Sequence, residues 1–365
     1  MKILHYINNL GSGGAEKLLT DILPLMRERG NEVHLIFAND QKNVQGYSKT
    51  IEDGGVKITN FNTSFYNPFQ TIKLIRILRK EKYDIVHAHL FPSQNWLAIA
   101  SVFVSSKTIL IKTEHNVSNN RRKYYLLKIV ERYLYRKYSL IIAITKEVKD
   151  SLQNWLKSNV SISIIPNGVN LTQIREVRKN VLISDYLFLQ SSSFNILMVG
   201  RFNGAKDQDT LIEAIKLLPE KYNVYFAGEG ELMEKSKELS KKLLIEKRVH
   251  FLGLRTDVYA LMNLVDLNVL SSDFEGLSGV TLESLASGKP FIGADVPGIN
   301  SIVPSADFLF PKRNPALLAN KITQVDEDKN FAQKLILDAS NHIEKFDIKN
   351  MVDKYLESYT QCLYK

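Results

Sequence analysis

The sequence predicts an α/β protein of two doubly wound, parallel-sheet domains, on three grounds: its length, the rhythm of its apolar runs, and one break in that rhythm. At 365 residues the chain is too long for one ordinary core and suits two domains, each able to bury most of its apolar surface. In the first half "KILHYI", "EVHLIFA", "VKITNF", "DIVHAHL", "TILIKTEH", "LIIAIT" and "SISIIP" read as buried strands. Amphipathic stretches such as "AEKLLTDILPLMRERG" mostly separate them, which marks repeated βαβ units and a parallel sheet. The turn "PNGVN" and an irregular stretch then intervene, and the rhythm restarts with "FNILMVG", "NVYFAG", "RVHFLG", "VDLNVLS", "KPFIGAD" and "DFLFP". The expected division is a Rossmann-like domain over 1–170, a linker over 171–192, and a second such domain over 193–340. In open α/β sheets ligands bind beyond the strand C-termini, so two such domains would face each other across a ligand-binding cleft.

Composition narrows the classes. One cysteine, Cys362, precludes an internal disulfide framework and suits a reducing compartment. No cationic-then-apolar leader opens the sequence, and its longest apolar stretch, around "WLAIASVFV", falls short of the ~20 residues of a membrane-spanning helix. The expected location is cytoplasmic, either free or peripheral at the inner face of the cell membrane. The net charge of +9 is lopsided: residues 1–190 carry 27 Lys and Arg against 15 Asp and Glu. Much of the excess sits in residues 121–137, "RRKYYLLKIVERYLYRK", where Leu126, Val130, Tyr133 and Leu134 recur at helical spacing and Glu131 is the only acid. This reads as a basic amphipathic helix, either packed on the core with a solvated cationic face or docked on an anionic membrane surface. Nucleic acid is not expected as a partner, since no zinc-ligand spacing or aromatic RNA-binding signature accompanies the charge.

The first domain offers two kinds of candidate. "NNLGSGGAEKLL" follows the first strand, and Gly13 and Gly14 there allow close backbone approach to an anion at a helix N-terminus. A dinucleotide fingerprint would need glycine where Glu16 stands, which weakens a nicotinamide reading; a tight turn without ligand has the same residues. "DIVHAHL" leaves His89 at a strand tip, and "TEHN" does the same for His115. Either alone is commonly a satisfied structural histidine; two at neighbouring tips point to a site.

In the second domain, "VGRFNGAKDQD" sets Arg201 and Lys206 just before a helical run. Two fixed cations beside a helix N-terminus make a diphosphate seat and can hold the charge of a departing phosphate. The nearby acids Asp207 and Asp209 fit the opening turn of that helix better than a metal pair. "FAGEGE" adds a glycine turn with Gly228. "SSDFEGLSGVTLESLASGKP" places Glu275 and Glu283 on either side of a Gly-containing turn with Leu277, Ser278 and Gly279 between them. Carboxylates accept from the vicinal hydroxyls of ribose or pyranose, while backbone amides and cations take phosphates; helix capping would also employ such acids.

In ordered combination "GGAEK", "VHAH", "PNGV", "VGR" with a following lysine, "GEG" and the Glu-x7-Glu segment ahead of "SGKP" resemble the retaining GT-B glycosyltransferases of family 4, over nearly the whole chain. The resemblance implies a GT-B fold and transfer of a sugar from a nucleotide-diphosphate donor, most commonly a UDP-sugar, to a glycan or lipid-linked acceptor in bacterial surface polysaccharide synthesis. No cofactor or metal is implied. Gly13, Gly14 and Gly228 would line the donor, Arg201 and Lys206 grip its diphosphate, Glu283 bind the ribose, and Glu275 hold the sugar with Leu277, Ser278 and Gly279 beside it. His89 would sit at the reaction centre and His115 on the acceptor side. The C-terminal segment, 341–365, resembles the helix that returns to the first domain. The sequence departs from the family pattern at Pro297 and Ser301, where a glycine and a glutamate are frequent, and in "NGAKDQ", which lacks a glycine after the lysine. Competing readings are a sugar-nucleotide epimerase on the same scaffold, an NAD-dependent oxidoreductase, and a membrane-docking scaffold without activity.

Overall fold

In the computed structural model, the described residues are all but 12, 105–106, 116–124, 157–159, 183, 185, 187, 190–191 and 365; of 125–127 only the backbone is described. The chain divides into two compact units, Met1–Gly168 with Ile348–Lys365, and Val169–Asp347.

The first unit alternates strictly. β1 (Lys2–Ile7), α1 (Gly14–Glu28), β2 (Glu32–Phe37), α2 (Tyr47–Asp53) and β3 (Lys57–Asn60) build one half of its sheet. α3 (Phe69–Glu81) crosses over to β4 (Ile85–His89), and α4 (Ser93–Ala100), β5 (Ile109–Glu114), α5 (Tyr125–Tyr135), β6 (Leu140–Ala143), α6 (Lys146–Leu156) and β7 (Ile162–Ile164) build the other. All pairings are parallel, in the order β3-β2-β1-β4-β5-β6-β7. The order in which strands are added therefore changes direction between β1 and β4, the switch point where ligands bind in such sheets. Right-handed crossovers put α1 and α2 on one face and α3 to α6 on the other. Central strands are covered on both faces, and β1 and β4 are buried almost end to end, His5, His87 and His89 included.

The second unit opens with α7 (Leu171–Asn180), so residues expected in a linker form a helix. Leu171 and Ile174 are buried in the core of this unit, and the Asn170 side chain caps the helix by accepting from the Gln173 N–H at 3.0 Å. β8 (Phe194–Val199), α8 (Gln208–Leu217), β9 (Tyr222–Ala227), α9 (Met233–Lys242) and β10 (Val249–Phe251) follow. α10 (Val258–Leu264), β11 (Leu267–Leu270), α11 (Gly279–Ala286), β12 (Phe291–Ala294), α12 (Pro297–Asn300), β13 (Leu309–Phe310), α13 (Pro315–Glu327) and α14 (Lys329–Ile343) complete it. The sheet order β10-β9-β8-β11-β12-β13 puts the switch between β8 and β11. The chain then re-enters the first unit as α15 (Ile348–Leu363), which packs on α1 and buries Val352, Tyr355 and Tyr359 in that core.

The basic helix differs from its expected orientation. Its N-terminal cations Arg121, Arg122 and Lys123 lie outside the described residues. Within α5, Val130 and Tyr133 face outward, whereas Glu131, Leu134 and Tyr135 are buried. The inward polar groups are satisfied: Glu131 accepts from the Trp155 indole at 3.0 Å and Tyr135 donates to Glu114 at 2.8 Å. Among the described residues no helix is long and apolar enough to cross a membrane.

Candidate functional site

In the second unit the candidates gather at the β8/β11 switch. The loop after β8 is stitched to the loop after β11 by backbone: Asp207 N–H donates to Ser271 O at 3.0 Å, Asp273 N–H to Ala205 O at 3.0 Å, and Lys206 bridges Ser272. This alignment brings Lys206 Nζ onto Glu275 Oε1, to which Ser272 Oγ also donates at 2.6 Å. The pair is mostly buried, with 16% and 11% of the two side chains exposed. Gly200 lies beneath the Lys206 stem, whose carbons would be 3.5 Å from a Cβ there. Arg201 is different. It is exposed, and its guanidinium makes no hydrogen bond or ion pair among the described residues.

Glycines set these loops at backbone distance. A Cβ on Gly228 (φ +146°) would lie 2.1 Å from Gly200 O, so only glycine lets the end of β9 approach the end of β8. The Gly228 N–H is already spent on Gly253 O at 2.8 Å, which makes this residue a spacer and not an amide donor to a ligand. A Cβ on Gly298 would lie 2.2 Å from Gly276 O and 2.6 Å from the Glu275 carbonyl carbon. Thus the "PGIN" turn, despite its departure from the family pattern, is the floor on which Glu275 rests.

Glu283 occupies the second turn of α11, whose first turn is capped by the Ser278 hydroxyl accepting from Thr281 N–H at 3.3 Å. Its Oε1 accepts from the Tyr259 hydroxyl at 3.3 Å. Glu275 and Glu283 are therefore held by different partners. Leu277 is half-buried against the core, and Gly279 is exposed at the helix start. Asp207 caps α8 by accepting from Thr210 N–H at 3.2 Å, and Asp209 accepts from Ser236 at 2.9 Å and Lys235 at 3.2 Å, so both acids of that loop have local structural partners.

In the first unit the β1/β4 switch holds a histidine stack. His5 and His87 are paired in register on adjacent strands, and alternation puts His89 on the same face. His5 Nδ1 is 3.0 Å from His89 Nε2; His87 contacts the Tyr359 hydroxyl at 2.6 Å and the Thr113 hydroxyl at 2.7 Å. The His89 and His115 rings are 6.3 Å apart. Sequence reasoning expected His89 to open onto a ligand, whereas it is buried with only 1% exposed. Burial lowers the pKa of His5 to about 3 and of His115 to about 4, and holds His87 and His89 well below the ordinary range, so all four are neutral near pH 7. Three ring nitrogens here lie close enough together to suggest a metal cluster. Both nitrogens of His87 are already engaged by hydroxyls, however, which fits a hydrogen-bonded stack. Gly13 is the N-cap of α1, with the Glu16 carboxylate folded over it, while the space at Gly14 is open.

Sequence reasoning missed Ser272, Tyr259, Gly298 and His5. Ser272 carried a signal in the "SSDFEG" it shares with Glu275; Tyr259 carried none, because only tertiary packing sets α10 against α11.

Comparison with known proteins agrees with this fold. Residues 12–173 match the family described as Glycosyltransferase Family 4, and residues 183–342 match Glycosyl transferases group 1. The Escherichia coli UDP-Gal:alpha-D-GlcNAc-diphosphoundecaprenol alpha-1,3-galactosyltransferase is 29% identical over 305 residues, covering 79% of this chain and 78% of its own. The Campylobacter jejuni N-acetylgalactosamine-N,N'-diacetylbacillosaminyl-diphospho-undecaprenol 4-alpha-N-acetylgalactosaminyltransferase is 28% identical over 306 residues, 80% of each chain. The crystal structure of Anabaena HepE in complex with UDP and glucose matches with a TM-score of 0.84 at 22% identity, covering 99% of this chain and 100% of that one. Two Rossmann-like sheets with this strand order, matched half by half to the same enzyme group, make the chain a glycosyltransferase of the GT-B fold, belonging to family 4.

Proposed function

We propose that the protein transfers a sugar, with retention of anomeric configuration, from a UDP-sugar to a glycan or lipid-linked acceptor in surface polysaccharide synthesis. The observation that carries this reading is the Lys206, Glu275 and Ser272 cluster, with Arg201, unpaired among the described residues, in the same loop after β8. Arg201 and Lys206 bind the diphosphate, and their two charges offset the charge that grows on it as the glycosidic bond breaks, without calling on a metal ion. Glu275 accepts from sugar hydroxyls, with Leu277, Ser278 and Gly279 lining the turn beside it. Glu283, oriented by Tyr259, accepts from the ribose. Gly228 shapes the pocket through its contact with Gly200. In the first unit, Gly13 and Gly14 offer the α1 N-terminus to phosphate and His115 stands on the acceptor side, while His89, buried and neutral against His5, belongs to the stack that supports that strand end.

Relatives support the substrate classes. The Escherichia coli and Campylobacter jejuni enzymes are named for diphospho-undecaprenol acceptors, and HepE was crystallised with UDP and glucose. The test is transfer from a panel of UDP-, GDP- and ADP-sugars to polyprenyl diphosphate sugars, with the product anomer read by NMR. Retained transfer from a UDP-sugar is expected. Conversion of donor without acceptor would instead make the protein an epimerase, and absence of affinity for all three nucleotides would overturn the donor reading.

A further inference from the structure

Arg313 carries a backbone conformation that its own turn does not require. It stands between the end of β13 and α13, next to Asn314, whose side chain caps α13 by accepting from the Leu317 N–H at 3.0 Å. Its φ of +57° lies in the left-handed region, which crowds the Cβ of an L residue and which glycine enters freely. A turn that served only to start α13 would be better made with glycine. An unfavourable backbone at an arginine therefore points to a use of its side chain.

That side chain grips Asp273. Nε and Nη2 of Arg313 donate to the two Asp273 carboxylate oxygens at 2.7 and 2.5 Å, a bidentate fork that fixes angle as well as distance. With 71% of the arginine side chain exposed, the pair adds little to stability, and what the fork supplies is orientation. Asp273 lies within the stretch that carries the proposed donor groups. Ser272 before it donates to Glu275 Oε1 at 2.6 Å, its own N–H donates to Ala205 O at 3.0 Å, and Glu275 follows two residues later. Toward α8 and α9 this stretch faces a cavity of about 370 Å³, lined by Asn203, Lys206, Asp273 and Arg313 among others, which leaves that side open. The Asp273 charge also repels that of Asp207, and the guanidinium offsets the repulsion.

We propose that Arg313 is a positioning residue for sugar transfer, its fork on Asp273 fixing residues 272–275 so that Lys206 and Glu275 are presented to the donor together. The inference rests on the donor reading of that cluster. It extends the site to a residue of the segment after β13, which acts through Asp273 and not on the substrate itself.

The test compares Arg313→Gly, Asp273→Ala and the double variant with the unaltered full chain. Its readouts are UDP titration calorimetry, thermal melts, hydrogen exchange, and UDP release from UDP-glucose, UDP-galactose and their N-acetyl counterparts with polyprenyl diphosphate sugars as acceptors. Glycine relieves the left-handed backbone, so Arg313→Gly should melt within about 2 °C of the unaltered protein. Its kcat/KM should nevertheless fall roughly tenfold, because small misplacements of positioned groups cost rate steeply. Exchange of the Asp273 amide should quicken roughly tenfold as the stretch loosens. In the Asp273→Ala background, Arg313→Gly should change kcat/KM less than about twofold, since the fork is already gone. Unchanged turnover or unchanged exchange in Arg313→Gly would overturn the proposal, as would an equal loss in both backgrounds. So would a loss of turnover accompanied by a melting temperature lowered more than about 5 °C, which marks general destabilisation. An unaltered protein without UDP affinity overturns the donor reading and this role with it. One that binds UDP, while Arg313→Gly transfers normally, overturns this role alone.

Discussion

Lys206 and Glu275, assigned to the diphosphate and to the sugar, are bonded to each other, with Ser272 donating 2.6 Å to the same carboxylate oxygen. On the proposed assignment the Lys206 ammonium, which carries three N–H donors, turns toward the donor phosphate on binding and loosens its hold on Glu275. The two residues report on different steps. Lys206→Ala should weaken UDP binding tenfold or more, because a charge-assisted hydrogen bond contributes about 1.5–3 kcal/mol. Glu275→Gln should leave UDP binding equal or tighter, since Lys206 is released, while transfer falls at least about a hundredfold. Calorimetry with UDP and a turnover assay separate these outcomes. Unchanged UDP affinity in Lys206→Ala would remove the diphosphate seat from this position.

Tyr259 is expected to position Glu283. Tyr259→Phe removes one hydrogen bond, about 1 kcal/mol, and should raise the KM for the sugar nucleotide roughly fivefold with kcat within about twofold. A fall in kcat at constant KM would contradict the ribose assignment.

Two glycines should resist substitution by alanine. Gly298→Ala forces a methyl against the Glu275–Gly276 backbone and Gly228→Ala against Gly200 O. Neither neighbour can rotate away, so each should cost about 1–3 kcal/mol. At roughly 2–4 °C of melting temperature per kcal/mol for a domain of this size, calorimetric scans resolve the effect. Gly14→Ala, which meets open space, is the control and should shift the melt by less than about 1 °C.

Acid should weaken the first unit first. His5, His34, His87, His89 and His115 all lie there, and burial lowers each pKa, to about 3 for His5 and about 4 for His34 and His115. With folded values below the unfolded 6.5, the unfolded chain binds more protons, so stability is complete above about pH 6.5 and falls as the pH drops toward the folded values. At pH 5 each histidine that stays neutral costs about 2 kcal/mol. Hydrogen exchange at pH 7 and pH 5 should show protection lost in β1 and β4 before β8 and β11. Equal loss in both sheets would refute the account.

The repeating strand and helix pattern of this sequence was enough to determine two parallel sheets, because period and burial of an α/β unit are local properties of the chain. The same holds for Arg201, Lys206, Glu275 and Glu283, whose places at strand ends and a helix start follow from order alone. What tertiary structure decided are relationships across the sequence: Lys206 on Glu275, Gly298 beneath Glu275, Tyr259 on Glu283, and His5 against His89. The helix at 171–180 escaped a reading of polarity because only Leu171 and Ile174 are fully buried in a core, with Val177 partly so. The orientation of α5 likewise depended on Trp155 and Glu114, which satisfy its inward polar groups and leave Val130 and Tyr133 to face outward. A pattern of residue types determines which face can be buried; the partners that folding delivers decide which face is.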